Sequence, residues 1–280
     1  MKMLSVFRQR GLSMIELLVA LAISSFLILG ITQVYIDNKR NYVFQQSQAG
    51  NLENSRFAVL MLDGLLSKAG YRRVPDQSML DAFPASTALS AHCKPFPAEG
   101  VITNIEASGE QVGFCMRYQP AYDEEPICDG NNAELAKDKP FLYPSQAETI
   151  YVAIKFTPHS TDLNKGTLSC VTSAASAEII DGVADMNVEF GSGVDQEKRL
   201  KASSPFKAAA SWSAADGPVR AINYSVLTVS RNNQRDGDSN VYTQWLTNAS
   251  DASKTRLAAQ DKRQIYQVAM GAQAIRNVMP

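Results

Sequence analysis

The chain has 280 residues, with 27 Lys+Arg against 28 Asp+Glu and a formal net charge of −1. That balance gives no general electrostatic reason to bind nucleic acid. With the apolar N-terminal stretch set aside, more than 200 residues remain, enough to bury a sizeable core in one large domain or two small ones.

The chain opens on a basic leader, Arg8-Gln9-Arg10-Gly11-Leu12-Ser13-Met14-Ile15-Glu16, followed by 20 residues without a charge, Leu17 to Ile36. At about 1.5 Å rise per residue that span reaches roughly 30 Å, the thickness of bilayer hydrocarbon. Ser24, Ser25, Thr32 and Gln33 are its polar exceptions. Their hydroxyls can bond back to the helix's own carbonyls. Lys2, Arg8 and Arg10 precede the span, while Asp37, Lys39 and Arg40 nearly cancel behind it. The bias places the N-terminus in the cytoplasm and the rest outside. An ionised Glu16 inside a bilayer costs at least ~2.5 kcal/mol and calls for a partner, whereas an interfacial Glu16 near the headgroups costs little.

The order of leader, Gly11, Glu16 and apolar span resembles the class III signal of type IV pilins and pseudopilins. A plain signal anchor explains the orientation but not Gly11 and Glu16 together. The resemblance implies that a prepilin peptidase cuts between Gly11 and Leu12 and that the apolar segment is retained. It further implies that the Leu12 amine is N-methylated and that Glu16 pairs with the amine of a neighbouring subunit. Such a cut removes three cations and no acid, taking the net charge from −1 to about −4.

Beyond the span, residues 37–70 contain no proline, and Leu52, Phe57, Val59, Leu60, Met61, Leu62, Leu65, Leu66 and Ala69 form a broad band at helical spacing. Gly70 and then Pro75 mark the stop. One helix over about 13–70 is predicted, with Gly50 as its weak point. Asn54-Ser55-Arg56-Phe57-Ala58, Ala69-Gly70-Tyr71-Arg72, Ile180 to Gly191 and Ala272 to Asn277 resemble segments of the PilW family of minor pilins. Leu12 in place of phenylalanine, and a membrane helix without proline, depart from major pilins. The resemblance implies a leader over 1–11, a long helix over 12–71 crossing the membrane at about 13–36, and a β-rich head over 72–280. The fold class expected is α+β, with an antiparallel sheet packed on the second half of the helix.

Residues 72–100 read as an irregular connection. Alternation and β-branched content predict strands at 101–105, 111–118, 149–157, 167–172, 184–190, 219–230 and 241–246. Residues 264–275 suit either a strand or a short helix. The Ala/Ser-rich stretch 192–217 reads as a mobile excursion. All four cysteines, Cys93, Cys115, Cys128 and Cys170, lie beyond the apolar span, and an even count outside the cytoplasm favours two disulfides. Three pairings are open. Pro120 and Pro126 mark a turn-rich connection that favours Cys115 with Cys128, leaving Cys93 with Cys170.

Candidate chemistry is thin. No two cysteines have zinc-finger spacing, and the histidines are His92 and His159 alone, so no metal site is expected. Gly191-Ser192-Gly193 lacks the Gly-x-Ser-x-Gly spacing of a hydrolase elbow. Asp236, Asp238 and Asn240 open like a calcium-binding EF-hand loop but lack its glycine and final glutamate, and a hairpin turn accounts for them. Asp123, Glu124, Glu125 and Asp129 read as a solvated acidic loop in preference to a calcium site. No cofactor is expected and the chain is not read as an enzyme. The resemblance implies a structural minor pilin that joins other minor pilins and the major pilin, primes fibre assembly and sits at the tip with an adhesin. It would be held in the inner membrane with a periplasmic head until assembly. The alternatives are a type II secretion pseudopilin of the GspJ kind, whose head is usually smaller than the ~210 residues here, and a DNA-uptake or adhesive pilin. For the last, Arg72-Arg73 is the one tight basic pair in the head's first half.

Overall fold

The computed structural model describes residues 13–135, 148–194, 199–200 and 206–278. Gly11 and Leu12 lie outside them. The chain divides into two compact units, residues 1–46 and 47–280. In the first, the described residues are helical from Met14 onward and almost all exposed. Ser24, Ser25 and Thr32 donate to the carbonyls of Ala20, Leu21 and Ile28, four residues back, which removes their bare hydroxyls from an apolar surface.

The helix, α1, spans Met14–Lys68 and runs unbroken through Gly50. A helix interior tolerates a single glycine at a cost of about 1 kcal/mol, which is too little to break one continued on both sides. Its buried face from residue 47 is Ser47, Asn51, Ser55, Ala58, Leu62, Leu65 and Leu66. Each fully buried leucine there contributes about 2 kcal/mol. The helix ends where Gly70 takes φ +71°, and a Cβ at that position would stand 2.8 Å from Val278 Cγ1. Gly70 N–H then donates to Arg117 O at 2.9 Å, tying the helix end to a strand.

Two antiparallel sheets build the second unit. The first is a meander, β1 (Ile102–Asn104), β2 (Val112–Tyr118), β3 (Ile150–Thr157), β4 (Thr167–Val171) and β5 (Ser176–Ile180), in that spatial order. The second comprises β6 (Val183–Val194), β7 (Arg199–Leu200), β8 (Lys207–Ala208), β9 (Val219–Val229) and β10 (Tyr266–Ala274), ordered β10-β9-β6-β7 with β8 also beside β6. Alternation decides which residues meet the helix. Phe114, Met116 and Tyr118 of β2, Val152, Ile154 and Phe156 of β3, and Ile222, Tyr224 and Val226 of β9 share one core with Ala58, Leu62, Leu65 and Leu66. This is an α+β architecture of a long helix on antiparallel sheets, as the sequence predicts.

The segment 241–246 departs from its predicted strand. It forms α3 (Asn240–Asn248), capped by Ser239, whose Oγ accepts from Tyr242 N–H. It is followed by α4 (Asp251–Gln260), capped by Ser250. Trp245 and Leu257 cover the back of the second sheet against Leu227, Val229 and Tyr266. The spacing of Val241, Tyr242, Trp245 and Leu246 fits a helical stripe as well as a strand, and the need to cover that sheet face selects the helix. Asp236-Gly237 therefore leads into a helix and not a hairpin. Residues 264–275 resolve as β10. In the supposed excursion 192–217, the described part is folded. Trp212 is buried edge-on against Phe190 with ring centroids 5.7 Å apart, and its Nε1 donates to Gly217 O at 3.2 Å. In the irregular stretch 72–100 a short helix, α2 (Met79–Ala82), is capped by Ser78.

Candidate functional site

The N-terminal part of α1 gathers the residues that the sequence marks for function. Glu16 sits in the first helical turn, where Ser13 O accepts from Leu17 N–H at 3.1 Å. A carboxylate there is favoured by the free N–H groups and the positive end of the helix dipole. Glu16 is exposed and has no partner among the described residues. Around it Met14, Ile15, Leu17, Leu18, Leu21, Phe26 and Ile31 are all more than half exposed. A surface of this size and apolarity has to be covered by lipid or by another chain. The helix is long and apolar enough to cross a membrane.

From residue 47 the same helix is held by polar as well as apolar contacts. Asn51 Nδ2 donates to Ile265 O at 3.1 Å, Ser55 Oγ meets Thr228 Oγ1 at 2.7 Å, and Tyr224 OH donates to Asp63 Oδ1 at 2.7 Å. Burial and the adjacent Asp63 carboxylate push the Tyr224 hydroxyl's pKa well above its ordinary value, so it remains a donor at neutral pH. Lys68 Nζ reaches Glu125 Oε1 at 2.5 Å and lies over the Tyr118 ring. These bonds fix the helix's rotation on the sheets.

The four cysteines form two disulfides, Cys93–Cys115 and Cys128–Cys170. This corrects the pairing favoured from the proline-rich connection. Register supplies the reason. Cys115 pairs across with Ala153, which pairs with Val171, so these three share one face of the first sheet. Cys170 is one place along from Val171, opposite Ile154, and points to the other face. The 89–96 loop packs on the Cys115 face with Phe96 and Ile105, so Cys93 meets Cys115. Cys128 reaches the Cys170 face, where Asp129 also accepts from Thr172 Oγ1 at 2.5 Å.

Arg117 and Asp185 are the most deeply buried of the charges that went unrecognised in the sequence. Arg117 on β2 is fully buried, and its guanidinium donates to the carbonyls of Gly100, Pro84, Phe83 and Pro97 at 2.6–3.0 Å while lying over the rings of Phe83 and Phe96. It thereby organises the 83–100 connection. Asp185 on β6 is 1% exposed and accepts from Trp245 Nε1 at 2.8 Å, Ser253 Oγ at 3.1 Å and Arg256 Nη2 at 3.1 Å. A bulge between Val183 and Asp185 turns Ala184 and Asp185 both toward α3 and α4, and Arg256 also donates to Ala184 O. Burial raises the Asp185 pKa above the ordinary carboxylate value against the pull of these donors. For Arg117 the available signal was an ionisable residue inside the otherwise uncharged strand Val112–Tyr118; for Asp185, in a strand that also carries Asn187 and Glu189, there was none.

The remaining candidates do not converge. Arg72 is bonded to Gln77 O, and Arg73 to Pro120 O and Glu148, so the basic pair serves its own loops. Ser192 lies in β6. Of the acidic loop, Glu125 is engaged by Lys68 and Ala121 N–H, and Asp129 by Thr172 and Asn131. Among the described residues no group of three or more His, Cys, Asp or Glu could hold a metal ion.

Comparisons with known proteins bear on the N-terminal segment. Residues 6–32 match the family described as the prokaryotic N-terminal methylation motif. A search of curated proteins found no match. Among solved structures, the chain is similar to the type IV-like pilin TTHA1219 from Thermus thermophilus, at 9% identity and a TM-score of 0.39, covering 83% of this chain and 99% of that one.

Proposed function

We propose that the chain is a structural subunit of a type IV pilus, a minor pilin of the PilW kind that works with other minor pilins and the major pilin to prime the fibre. The observation that carries this reading is that the methylation motif, residues 6–32, runs into the single helix Met14–Lys68, which is bonded into the head from residue 47. A removable secretory signal has no use for a helix built into the fold, so the apolar segment is retained. In this reading a prepilin peptidase cuts between Gly11 and Leu12, the new amine is methylated, and residues of about 13–36 hold the chain in the inner membrane with the head, 72–280, in the periplasm. Glu16 then meets a cation that cleavage creates. In hydrocarbon such a pair is strong and directional, and it sets one helix's register against the next. An adhesin at the fibre tip is the further partner.

A deletion strain, scored in parallel for surface pili and for exoprotein secretion, tests the proposal. Loss of pili with normal secretion is expected. Loss of secretion with normal pili would replace the reading by that of a secretion pseudopilin.

A further inference from the structure

β10 is an edge strand that lacks the usual protections. Among the described residues it pairs with β9 alone, in unbroken register from Tyr266 opposite Val229 to Ala274 opposite Ala221. Ser230 N–H donates to Ile265 O, and Ile275 N–H to Arg220 O. These two bonds fix the parity of the ladder: odd-numbered residues face β9, while the N–H and C=O of Val268, Met270, Ala272 and Ala274 point outward. No bond to those outward groups is present among the described residues. Met270 is 70% exposed, and Ala272 and Ala274 are exposed beside it.

Native edges are blunted by charge, proline, bulges, short length or cover. The first sheet follows that rule. β5 has 5 residues, carries the exposed Glu178 and is bulged against β4; β1 has 3 residues, all buried. β10 has 9 residues with no charge, proline or bulge. Charges stand only at its ends: Asp261, paired with Arg235, Lys262, paired with Asp162, and the exposed Arg263 before it, and the exposed Arg276 after it.

We infer that the outer edge of β10 accepts an extended strand from a different protein, uncharged over about the length of β10 and acidic at both ends. Backbone bonds at alternate residues supply affinity in such strand addition, and the flanking arginines set register and choice. They also disfavour a second copy of this chain. Both arginines lie just outside the extended strand, Arg263 at a left-handed turn and Arg276 at the start of a 3-10 helix, so an antiparallel self-pair centred on Met270 brings the Arg263 end of each copy toward the Arg276 end of the other, and a parallel pair brings like ends together. The inference does not depend on Glu16 or on the processing site.

The test uses the full chain in detergent micelles and two synthetic peptides of alternating Thr and Val, one flanked by Glu and one by Lys. Amide hydrogens of Val268, Met270, Ala272 and Ala274 should exchange freely in the protein alone and slow at least tenfold with the Glu-flanked peptide. The Lys-flanked peptide should bind at least tenfold more weakly. Ala272→Pro removes an outward N–H without touching the ladder to β9, so the thermal midpoint should hold while peptide binding is lost. The double variant Arg263→Glu, Arg276→Glu should reverse the preference between peptides, and it decides alone if the proline variant proves unstable. The inference is overturned if neither peptide binds, if both bind equally, if binding survives Ala272→Pro, or if those amides are already protected in the monomeric free protein. Self-association abolished by Ala272→Pro would equally overturn it, by making a second copy the occupant.

Discussion

Replacing Arg117 by methionine is expected to destabilise the head by about 3 kcal/mol. Methionine keeps the length and apolar stem of the side chain but brings no donor, so four carbonyls lose their bonds to the guanidinium. Phe83 O retains Glu99 N–H, and Pro97 O retains Gly100 N–H. Gly100 O and Pro84 O are left unpaired, the first buried and the second half-buried. An orphaned buried carbonyl costs ~1–3 kcal/mol, with the lower figure where water can reach. The lost attraction to the Phe83 and Phe96 rings is partly replaced by sulfur–aromatic contact worth ~0.3–1.5 kcal/mol. Relief of burying a cation, whose pKa desolvation already holds below its ordinary value, offsets the remainder. Against a typical stability of about 5–15 kcal/mol this is a large loss. Urea unfolding followed by tryptophan fluorescence measures it, and limited proteolysis should place the new cleavages between residues 84 and 99. A change below about 1 kcal/mol, or cleavage outside that segment, would refute the argument that Arg117 organises the connection.

Gly11→Ser should leave an uncut precursor that still enters the membrane, because residues 17–36 are unchanged; a normal mature mass by mass spectrometry would rule out the assigned cut. Glu16→Ala should be processed and disulfide-bonded yet recover fewer partner pilins on co-purification and give fewer surface pili, and normal piliation would make Glu16 an interfacial residue only. Non-reducing peptide mapping should recover Cys93 linked to Cys115 and Cys128 linked to Cys170 with no free thiol. Loss of one such bridge, as in Cys115→Ser, typically costs ~2–5 kcal/mol and should raise protease sensitivity. The thermal midpoint should fall as pH drops from about 4 to about 2. Bonds from Lys262 and Lys165 hold Asp162 down to about 2, those from Lys207 and Ser213 lower Asp216, and at Asp129 burial pulls upward but bonds from Thr172 and Asn131 outweigh it. A depressed carboxylate stabilises the fold above its ordinary value of 3.8 and loses that contribution as it is protonated. Asp185, raised by burial, has the opposite sign and gains as pH falls through its raised value, but it is one group against three. A midpoint that rises over this interval would overturn the assignment.

The sequence by itself determined what depends on neighbours along the chain. The uncharged run from Leu17 to Ile36 sets a helix of membrane length, and Leu62, Leu65, Leu66 and Ala69 of the apolar band set the lower part of the face that packs, while Phe57 and Leu60 of the same band stay exposed and Asn51, Ser55 and Ala58 complete the buried face. Gly70 sets the stop, and alternation from Val112 to Tyr118 or Val219 to Val229 sets strands, because each signal is a periodicity of 3.6 or 2 in side-chain direction. The leader Arg8 to Glu16 was legible for a different reason: its residue types occur at fixed spacing. Tertiary structure decided what depends on residues far apart. The cysteine partners follow from which face of the first sheet Cys115 and Cys170 occupy, and that parity exists only once β2, β3 and β4 are in register. Val241 to Leu246 became a helix because the back of the second sheet had to be covered, and Ser239 could cap what covers it. Arg117 and Asp185 are tolerated inside because carbonyls from residues 83–100 and donors from α3 and α4 converge on them. No local pattern announces that convergence, since a buried charge is stabilised by the geometry of its partners and not by its position in the chain.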